Sequence, residues 1–151
     1  GGNSLDANRN PNPSAEGESR AMPNALQSAG IEPSKVDYIN LHGTASALGD
    51  ETELNAVKMS GLKPQYANST KSLIGHGLTA AGLIEAIATI IQLEEGFIHR
   101  SNNMIDPMES ELNFPTEEAV QADISYALSN GFGFGGINTS ILLENLSQTK
   151  K

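Results

Sequence analysis

Two histidines and a lysine are the side chains of this sequence best suited to chemistry. His42 follows a segment of alternating apolar and polar residues and precedes Gly43, and His76 lies between two glycines, five residues after Lys71. Imidazoles donate hydrogen bonds or transfer protons, and an ammonium group stabilises negative charge that develops during a reaction. The sequence therefore predicts a site that stabilises an anion. A structural histidine and a solvated lysine are the alternatives for each residue alone.

No cysteine is available to act as a nucleophile in such a site. The 151 residues contain no Cys, which also excludes disulfides and thiolate metal ligands within the chain. A zinc site made of the two histidines and one glutamate is an alternative, but the sequence has no HExxH-like spacing. A cysteine that works with these histidines would have to come from outside these residues.

A strand and a helix are predicted to flank His42. Residues 36–41 alternate apolar and polar side chains as a strand does. Asp50 is the predicted N-cap of the following helix, with Glu53 three residues later and Gly61 closing it. His42 thus lies in a strand-to-helix loop, the place where open α/β sheets bind ligands.

A second junction of this kind is predicted around Lys71 and His76. Residues 66–70 are a short strand that ends beside the lysine, and residues 78–95 are the strongest predicted helix. Nearly every face of that helix is apolar, as in a helix buried inside a larger domain, so Glu85 needs a wet face, a cation or a hydrogen-bond network. The two histidines are expected to converge.

The other segments complete a mixed α/β pattern. Ser14 is the predicted N-cap of a helix that ends at Gly30, with Pro23 as a point where it kinks or breaks. His99 is interpreted as a surface residue. The predicted irregular segments and polar tail are residues 1–13, residues 97–123 and residues 145–151.

Two strands joined by glycines are predicted near the C-terminal end. Residues 125–129 and 137–144 are β-like, and Gly131, Gly133 and Gly136 between them fit G-x-G-x-x-G. That fingerprint binds a dinucleotide only when a helix follows the glycines, so the strand argues against a dinucleotide site. A structural hairpin is one interpretation. The other is a loop whose backbone N–H groups and phenylalanines approach a ligand.

The composition is that of a globular domain and argues against two classes of partner. The chain is 38% hydrophobic and 18% charged, with a net charge of -9 and only nine Lys and Arg. Neutralising phosphates needs clustered basic side chains, so nucleic acid is not expected. Neither a bilayer-spanning apolar run nor a leader sequence is visible, so we expect a cytoplasmic location and no membrane partner.

Three segments together resemble the C-terminal motifs of the β-ketoacyl-acyl-carrier-protein synthases, or ketosynthases, of the thiolase superfamily. They are NLHGTASALGDETE at residues 40–53, STKSLIGHGLTAAGLIEAI at residues 69–87 and LSNGFGFGGINTS at residues 128–140. Their order and spacing match over nearly the whole chain. The resemblance implies the C-terminal half of an α/β thiolase-like fold, with a mixed five-stranded sheet covered by helices, within an αβαβα layered architecture.

The resemblance also implies a reaction. His42 and His76 match two histidines, and Lys71 matches a lysine, that accompany a nucleophilic cysteine in the condensing enzymes. There, a malonyl thioester on a carrier protein loses carbon dioxide and the enolate attacks an acyl thioester on the cysteine. Two imidazoles would stabilise that enolate, and no redox cofactor is required.

Further positions match a gating loop and a polar network. Phe134 matches a gating phenylalanine, with Gly133 and Gly135 beside it in a loop whose backbone N–H helps to form an oxyanion hole. In some members a polar network, or a structural monovalent or divalent cation, lies at the positions that match Asn40, Glu53, Glu85, Ser129 and Asn130.

Partners and alternatives follow from the same resemblance. The family's nucleophile lies in an N-terminal half, so residues 1–144 are interpreted as a C-terminal half-domain whose other half is a separate chain or the rest of a longer protein. Acyl carrier protein and a dimer of complete synthases are the other expected partners. Two alternatives stay open: a malonyl-carrier-protein decarboxylase that lacks the cysteine, and a non-catalytic subunit resembling chain-length factors.

Overall fold

A mixed five-stranded sheet is the centre of the protein, which a computed structural model describes over residues 1–6 and 12–149. The strands in these regions are β1 (Gly2–Leu5), β2 (Tyr38–Asn40), β3 (Tyr66–Asn68), β4 (Phe97–Ile98), β5 (Val120–Gln121), β6 (Tyr126–Gly133) and β7 (Ile137–Glu144). The sheet order is β1-β7-β6-β2-β3, and β4 pairs separately with β5. β2 is parallel to β3 and β6, whereas β7 is antiparallel to β6 and β1. The predicted mixed sheet is confirmed.

Helices cover both faces of this sheet. They are α1 (Ala15–Ala29), α2 (Ala47–Met59), α3 (Lys71–Ile74), α4 (Ala81–Glu95) and α5 (Leu146–Thr149). Because side chains alternate along a strand, Ile39 packs in the cluster that contains residues of α1 and α2, and Tyr38 packs in the one that contains Leu93 of α4. Within the residues described, none of the helices is long and apolar enough to cross a membrane.

Local capping explains where α1 and α4 end. Ser14 Oγ accepts the Gly17 N–H at 3.2 Å, and Gly30 closes α1 at φ 69°. α1 continues through Pro23 without a break, and Gly96 ends α4 at φ 69°. A left-handed residue that closes a helix favours glycine, which is why these two ends were predictable from the sequence.

One predicted helix start and one predicted strand end are wrong. α2 begins at Ala47 with Ser46 as its N-cap, and Asp50 instead accepts the Ala45 N–H at 3.2 Å from within the first turn. Lys71 does not lie on a strand, because β3 ends at Asn68 and the lysine opens α3.

Three further predictions need correction. The predicted N-terminal loop contains β1, which gains its strand pairing only from β7. The glycine-rich loop of the predicted hairpin is shorter than expected, because β6 continues to Gly133. His99 is buried, not on the surface, and its N–H donates to Gln92 Oε1 at 3.0 Å. Of the predicted loop and tail, residues 7–11 and 150–151 lie outside the described residues.

The helix α4 presents its polar side to the sheet and its apolar side outward. Its buried residues include Glu85, Thr89 and Gln92. Its exposed large apolar residues are Leu83, Ile84, Ile87, Ile90 and Ile91. We call these five residues the outer face of α4. An ordinary surface helix has the opposite arrangement, so the outer face has the character of a surface that another polypeptide covers.

We expect the 151-residue chain alone to self-associate through the outer face of α4. Leu83→Gln, Ile87→Gln and Ile91→Gln together should move the chain to a monomer, because they remove apolar surface without loss of helix propensity. Size-exclusion chromatography with light scattering measures this. Ile105→Gln is the control, since Ile105 is 95% exposed and is not part of α4. A wild-type chain that runs as a monomer contradicts the prediction.

Candidate active site

The backbone of the His42 loop is held from behind by a buried carboxylate. Glu53 on α2 accepts the His42 N–H with one oxygen and the Gly43 N–H with the other, each at 2.8 Å. Gly43 has φ 39°, and a Cβ there would lie 2.7 Å from Ser69 Cβ. The loop therefore requires glycine at this position, and the HGT motif places its histidine at the end of β2 by these two constraints.

The rings of His42 and His76 meet. Their centroids are 5.6 Å apart with the planes at 88°, and the Phe132 ring lies 5.7 Å from the His42 ring. His42 is partly buried and His76 is exposed. The predicted convergence of the two histidines is thus present in the geometry, in an edge-to-face arrangement.

Hydrogen bonds determine which ring nitrogen of each neutral imidazole carries the proton. Leu78, at φ 50°, donates its N–H to His76 Nδ1 at 3.0 Å. Lys71 Nζ lies 3.4 Å from His42 Nδ1, and an ammonium group can only donate. In the neutral rings Nδ1 is then the acceptor and Nε2 carries the proton. Both histidines have an Nε2–H group available as a donor.

Lys71 forms a buried ion pair with Glu85. Its Nζ donates to Glu85 Oε1, and both side chains are buried. Of the three predicted surroundings of Glu85, a wet face, a cation or a hydrogen-bond network, the structure has a cation, the Lys71 ammonium group. Burial raises the pKa of Glu85 and the Lys71 ammonium opposes that shift. An unpaired charge at this depth would be costly, so each residue depends on the other.

His42 is held in its neutral form. Burial, together with the electrostatic effect of Lys71 and His76, lowers the pKa of His42 to about 3. A neutral imidazole donates a hydrogen bond without giving up its proton at physiological pH.

Two hydrogen-bonded groups account for the predicted polar network. Asn130 Nδ2 donates to Glu53 Oε1 at 3.2 Å, and Asn130 Oδ1 accepts from Ser140 Oγ at 2.9 Å. Asn40 Oδ1 accepts from the N–H of Thr70 at 3.0 Å and from its hydroxyl at 2.8 Å. Asn40 Nδ2 donates to Ser129 Oγ at 3.3 Å. Glu85 is the fifth predicted member, and it pairs with Lys71 instead.

Protein hydrogen-bond donors contact the oxygens of this network. Both oxygens of Glu53 and the amide oxygens of Asn40 and Asn130 already accept protein donors. In the described part of the chain, no three Asp, Glu or His residues are grouped to hold a metal ion. The network is satisfied by its own hydrogen bonds.

The predicted gating loop lies at the turn between β6 and β7. Phe134 is 80% exposed, and Gly135 has φ 84°. Gly136, at φ 74°, accepts the Asp6 N–H at 2.9 Å, and a Cβ on Gly136 would lie 2.7 Å from Asp6 Cβ. The segment after β1 therefore supports one side of the turn.

A cavity of about 630 Å³ opens beside Lys71. Thr44, Asp50, Ser72 and His76 line it together with residues 101–108. Burial raises the pKa of Asp50. The irregular segment that the sequence predicted after β4 thus contributes one wall of the site.

Two residues near the site were missed by the sequence analysis. Phe132 was not distinguished from Phe134, and strand alternation could not separate them because residues two apart share a face; Phe132 lies within β6, whereas Phe134 follows its end at Gly133. Glu18 on α1 is buried, and its pKa is raised to about 8 by burial and by the nearby carboxylates Glu53 and Asp6. Its position in the first turn of α1 looked like an ordinary favourable helix charge.

Comparisons with known proteins agree with this geometry. The chain matches the family described as Beta-ketoacyl synthase, C-terminal domain, over residues 2–104, and it belongs to this family. It is 42% identical over 144 residues to the polyketide biosynthesis malonyl-ACP decarboxylase PksF of Bacillus subtilis (strain 168), covering 95% of this chain and 35% of that protein. It is 41% identical to the chloroplastic 3-oxoacyl-[acyl-carrier-protein] synthase I of Arabidopsis thaliana, covering 90% of this chain and 30% of that protein.

Solved structures of ketosynthases share the fold. The ishigamide ketosynthase/chain length factor has a TM-score of 0.89 and 33% identity, with 95% of this chain and 36% of that chain covered. A β-ketoacyl synthase from Burkholderia phymatum STM815 has a TM-score of 0.87 and 33% identity, with 95% and 36% covered. The implied thiolase-like α/β fold is confirmed. This chain spans about a third of the length of these proteins and of the curated relatives.

We expect His42 to stay neutral to well below pH 5. NMR titration of histidine-labelled protein should show no ring protonation of His42 between pH 8 and pH 5. Lys71→Met with Glu85→Gln removes the ammonium group and its partner together, so the pKa of His42 should rise. Glu85→Gln alone is the control, because Lys71 stays beside the ring. Protonation of wild-type His42 near its ordinary pKa contradicts the geometry.

Proposed function

We propose that this chain supplies the enolate-stabilising part of a ketosynthase that acts on a malonyl thioester of acyl carrier protein. The observation that carries the proposal is the pair of imidazoles, 5.6 Å apart, each with Nδ1 occupied and Nε2–H available. Two such donors suit one thioester oxygen whose negative charge grows during the reaction.

Decarboxylation is the step for which these residues are suited. The bond between the malonyl carboxylate and the α-carbon breaks, carbon dioxide leaves, and the electron pair delocalises onto the thioester oxygen as an enolate. His42 and His76 donate to that oxygen. Donors that are already in place need no reorganisation when the charge forms, which is the main source of such stabilisation.

Condensation needs a nucleophile that this chain does not contain. The sequence has no cysteine, so we propose that a ketosynthase N-terminal half, covering the outer face of α4, contributes the acylated residue. The enolate carbon then attacks the acyl carbonyl and the thiolate leaves. The greater length of the relatives and the apolar character of that face support this assignment.

Further assignments rest on the same proposal. Phe134, with Gly133 and Gly135, would gate the entrance and provide an oxyanion N–H, and its exposure at a turn is compatible with such movement. Lys71 would add positive charge near the enolate. The proposed reaction uses no redox cofactor, because electrons only move within the substrates. The polar network would be structural, held by hydrogen bonds rather than by a cation.

Partners of the proposed enzyme include acyl carrier protein. One similar structure is a type II polyketide synthase acyl-carrier protein in complex with its ketosynthase, and another is a ketosynthase in complex with its chain length factor. The net charge of -9 makes this chain a poor docking face for an acidic carrier, so we assign the basic docking surface to the other half. A dimer of complete synthases is part of the proposal.

A decarboxylase is the second candidate, favoured by the 42% identity to the malonyl-ACP decarboxylase of Bacillus subtilis. The same imidazole pair would stabilise the enolate, which would then be protonated. A non-catalytic subunit resembling chain-length factors is less well supported, because His42, Lys71 and His76 are all present and in contact range.

The test uses the assembled enzyme, made by co-expressing this chain with a ketosynthase N-terminal half or as one longer polypeptide. Malonyl-carrier-protein decarboxylation and acyl condensation are assayed separately. His42→Ala and His76→Ala should each lower decarboxylation about 100-fold or more, as expected when one oxyanion donor is lost. Tyr126→Phe is the control, because that hydroxyl donates to Glu144 at the surface, away from the two histidines.

The pattern of rates separates the candidates. Loss of both activities in the histidine variants supports the ketosynthase, and decarboxylation without condensation in the wild type favours the decarboxylase. Unchanged rates in both histidine variants refute the catalytic assignment. A wild-type assembly that performs neither step favours the non-catalytic subunit.

A further inference from the structure

A closed ring of hydrogen bonds lies beneath the site and has no role in the assignments above. The Tyr38 hydroxyl on β2 donates to Asn68 Oδ1 on β3 at 2.5 Å and accepts from Gln92 Nε2 on α4 at 3.1 Å. Asn68 Nδ2 donates to the His99 carbonyl at 2.8 Å, and the His99 N–H donates to Gln92 Oε1 at 3.0 Å. The ring thus joins two strands, a helix and the segment after β4.

The ring is buried, so each of its polar groups must keep its hydrogen-bond partner. Tyr38 and Asn68 are 0% exposed and Gln92 is 2% exposed. A buried amide or hydroxyl group that loses its partner carries the full cost of desolvation. Hydrogen bonds are also directional, so a satisfied ring allows little sliding or rotation of the elements that it joins.

The ring ties α4, which carries Glu85, to β3, which ends just before the lysine that opens α3. Asn68 ends β3 three residues before Lys71. Gln92 lies seven residues after Glu85, two helical turns or about 10.5 Å along the same face of α4. Between them, Thr89 donates to the Glu85 carbonyl at 2.8 Å. This last bond lies within α4, so the polar contacts of Glu85 and Gln92 anchor the helix to the elements beside it.

Apolar packing cannot fix the position of α4 on the sheet by itself. The apolar residues of the helix point mainly outward, and the sheet-facing stripe is Ala81, Glu85, Thr89, Gln92 and Leu93. We propose that Tyr38, Asn68 and Gln92 are positioning residues that set the depth and rotation of α4 and so hold the Lys71–Glu85 pair beside His42. The expected effect on catalysis rests on the proposed function, whereas the effect on the position of α4 and of the ion pair does not.

The first test reads the ion pair directly. The assembled enzyme is labelled with ¹⁵N-lysine, and the NMR signal of the Lys71 ammonium group is assigned by its absence in Lys71→Met. Glu85→Gln then shows how this signal moves or disappears when the ion pair is broken. Tyr38→Phe should move or broaden this signal. Tyr126→Phe is the matched control, since that hydroxyl donates to Glu144 at the surface. The signal of Lys71 should be unchanged in the control.

The second test separates positioning from general support of the fold. Tyr38→Phe should lower kcat for malonyl decarboxylation about tenfold with KM within about twofold, the cost of a small misplacement. In a Glu85→Gln background the further loss should shrink below about twofold, because the ring would act through a pair already broken. A full tenfold loss in that background overturns the proposal.

The two tests fail in distinguishable ways. If the wild-type assembly does not decarboxylate, the proposed function falls and the Lys71 signal alone decides the positioning proposal. Gln92→Met, which keeps side-chain length and helix propensity but removes both ring contacts, replaces Tyr38→Phe if that variant does not fold. A Lys71 signal that neither change perturbs overturns the proposal.

Discussion

The buried ion pair between Lys71 and Glu85 is the interaction on which the site depends. It places a fixed ammonium group 3.4 Å from His42 Nδ1, and this contact makes Nδ1 an acceptor and leaves the proton on Nε2. It also provides the buried Glu85 carboxylate with a partner of opposite charge on the sheet-facing side of α4. Because a buried pair is stable only when both members are held in place, the sheet and the helix must meet in one particular arrangement.

That arrangement leaves the apolar side of α4 exposed. Since the sheet-facing stripe of α4 carries Glu85, Thr89 and Gln92, the apolar residues are displaced to the opposite side. The outer face of α4 is thus a consequence of building a polar site under the helix. A second layer of polypeptide would return this face to an apolar interior, and the same layer could bring a nucleophile towards His42 and His76.

The parts of this structure that the sequence predicted are those with a local physical cause. Glycines that close α1 and α4 in the left-handed conformation, and histidines at strand ends, are visible within a few residues. The pairing of Glu85 with Lys71, and the burial of His99, depend on contacts between distant elements. β1 was taken for a loop because its residues have low strand propensity and only the edge of β7 makes it a strand. Asp50 has the local pattern of a helix cap, but the loop before α2 uses its carboxylate instead.

His42 illustrates why so many residues support so small a group of donors. Glu53 fixes its backbone, Lys71 fixes its tautomer and Phe132 packs on its ring. Burial and the neighbouring cation both oppose its protonation. A donor that neither rotates nor ionises can stabilise a developing enolate without reorganisation. A histidine that only filled space would not need these restraints. Packing requires no particular tautomer and no available Nε2–H, whereas stabilising an enolate requires both.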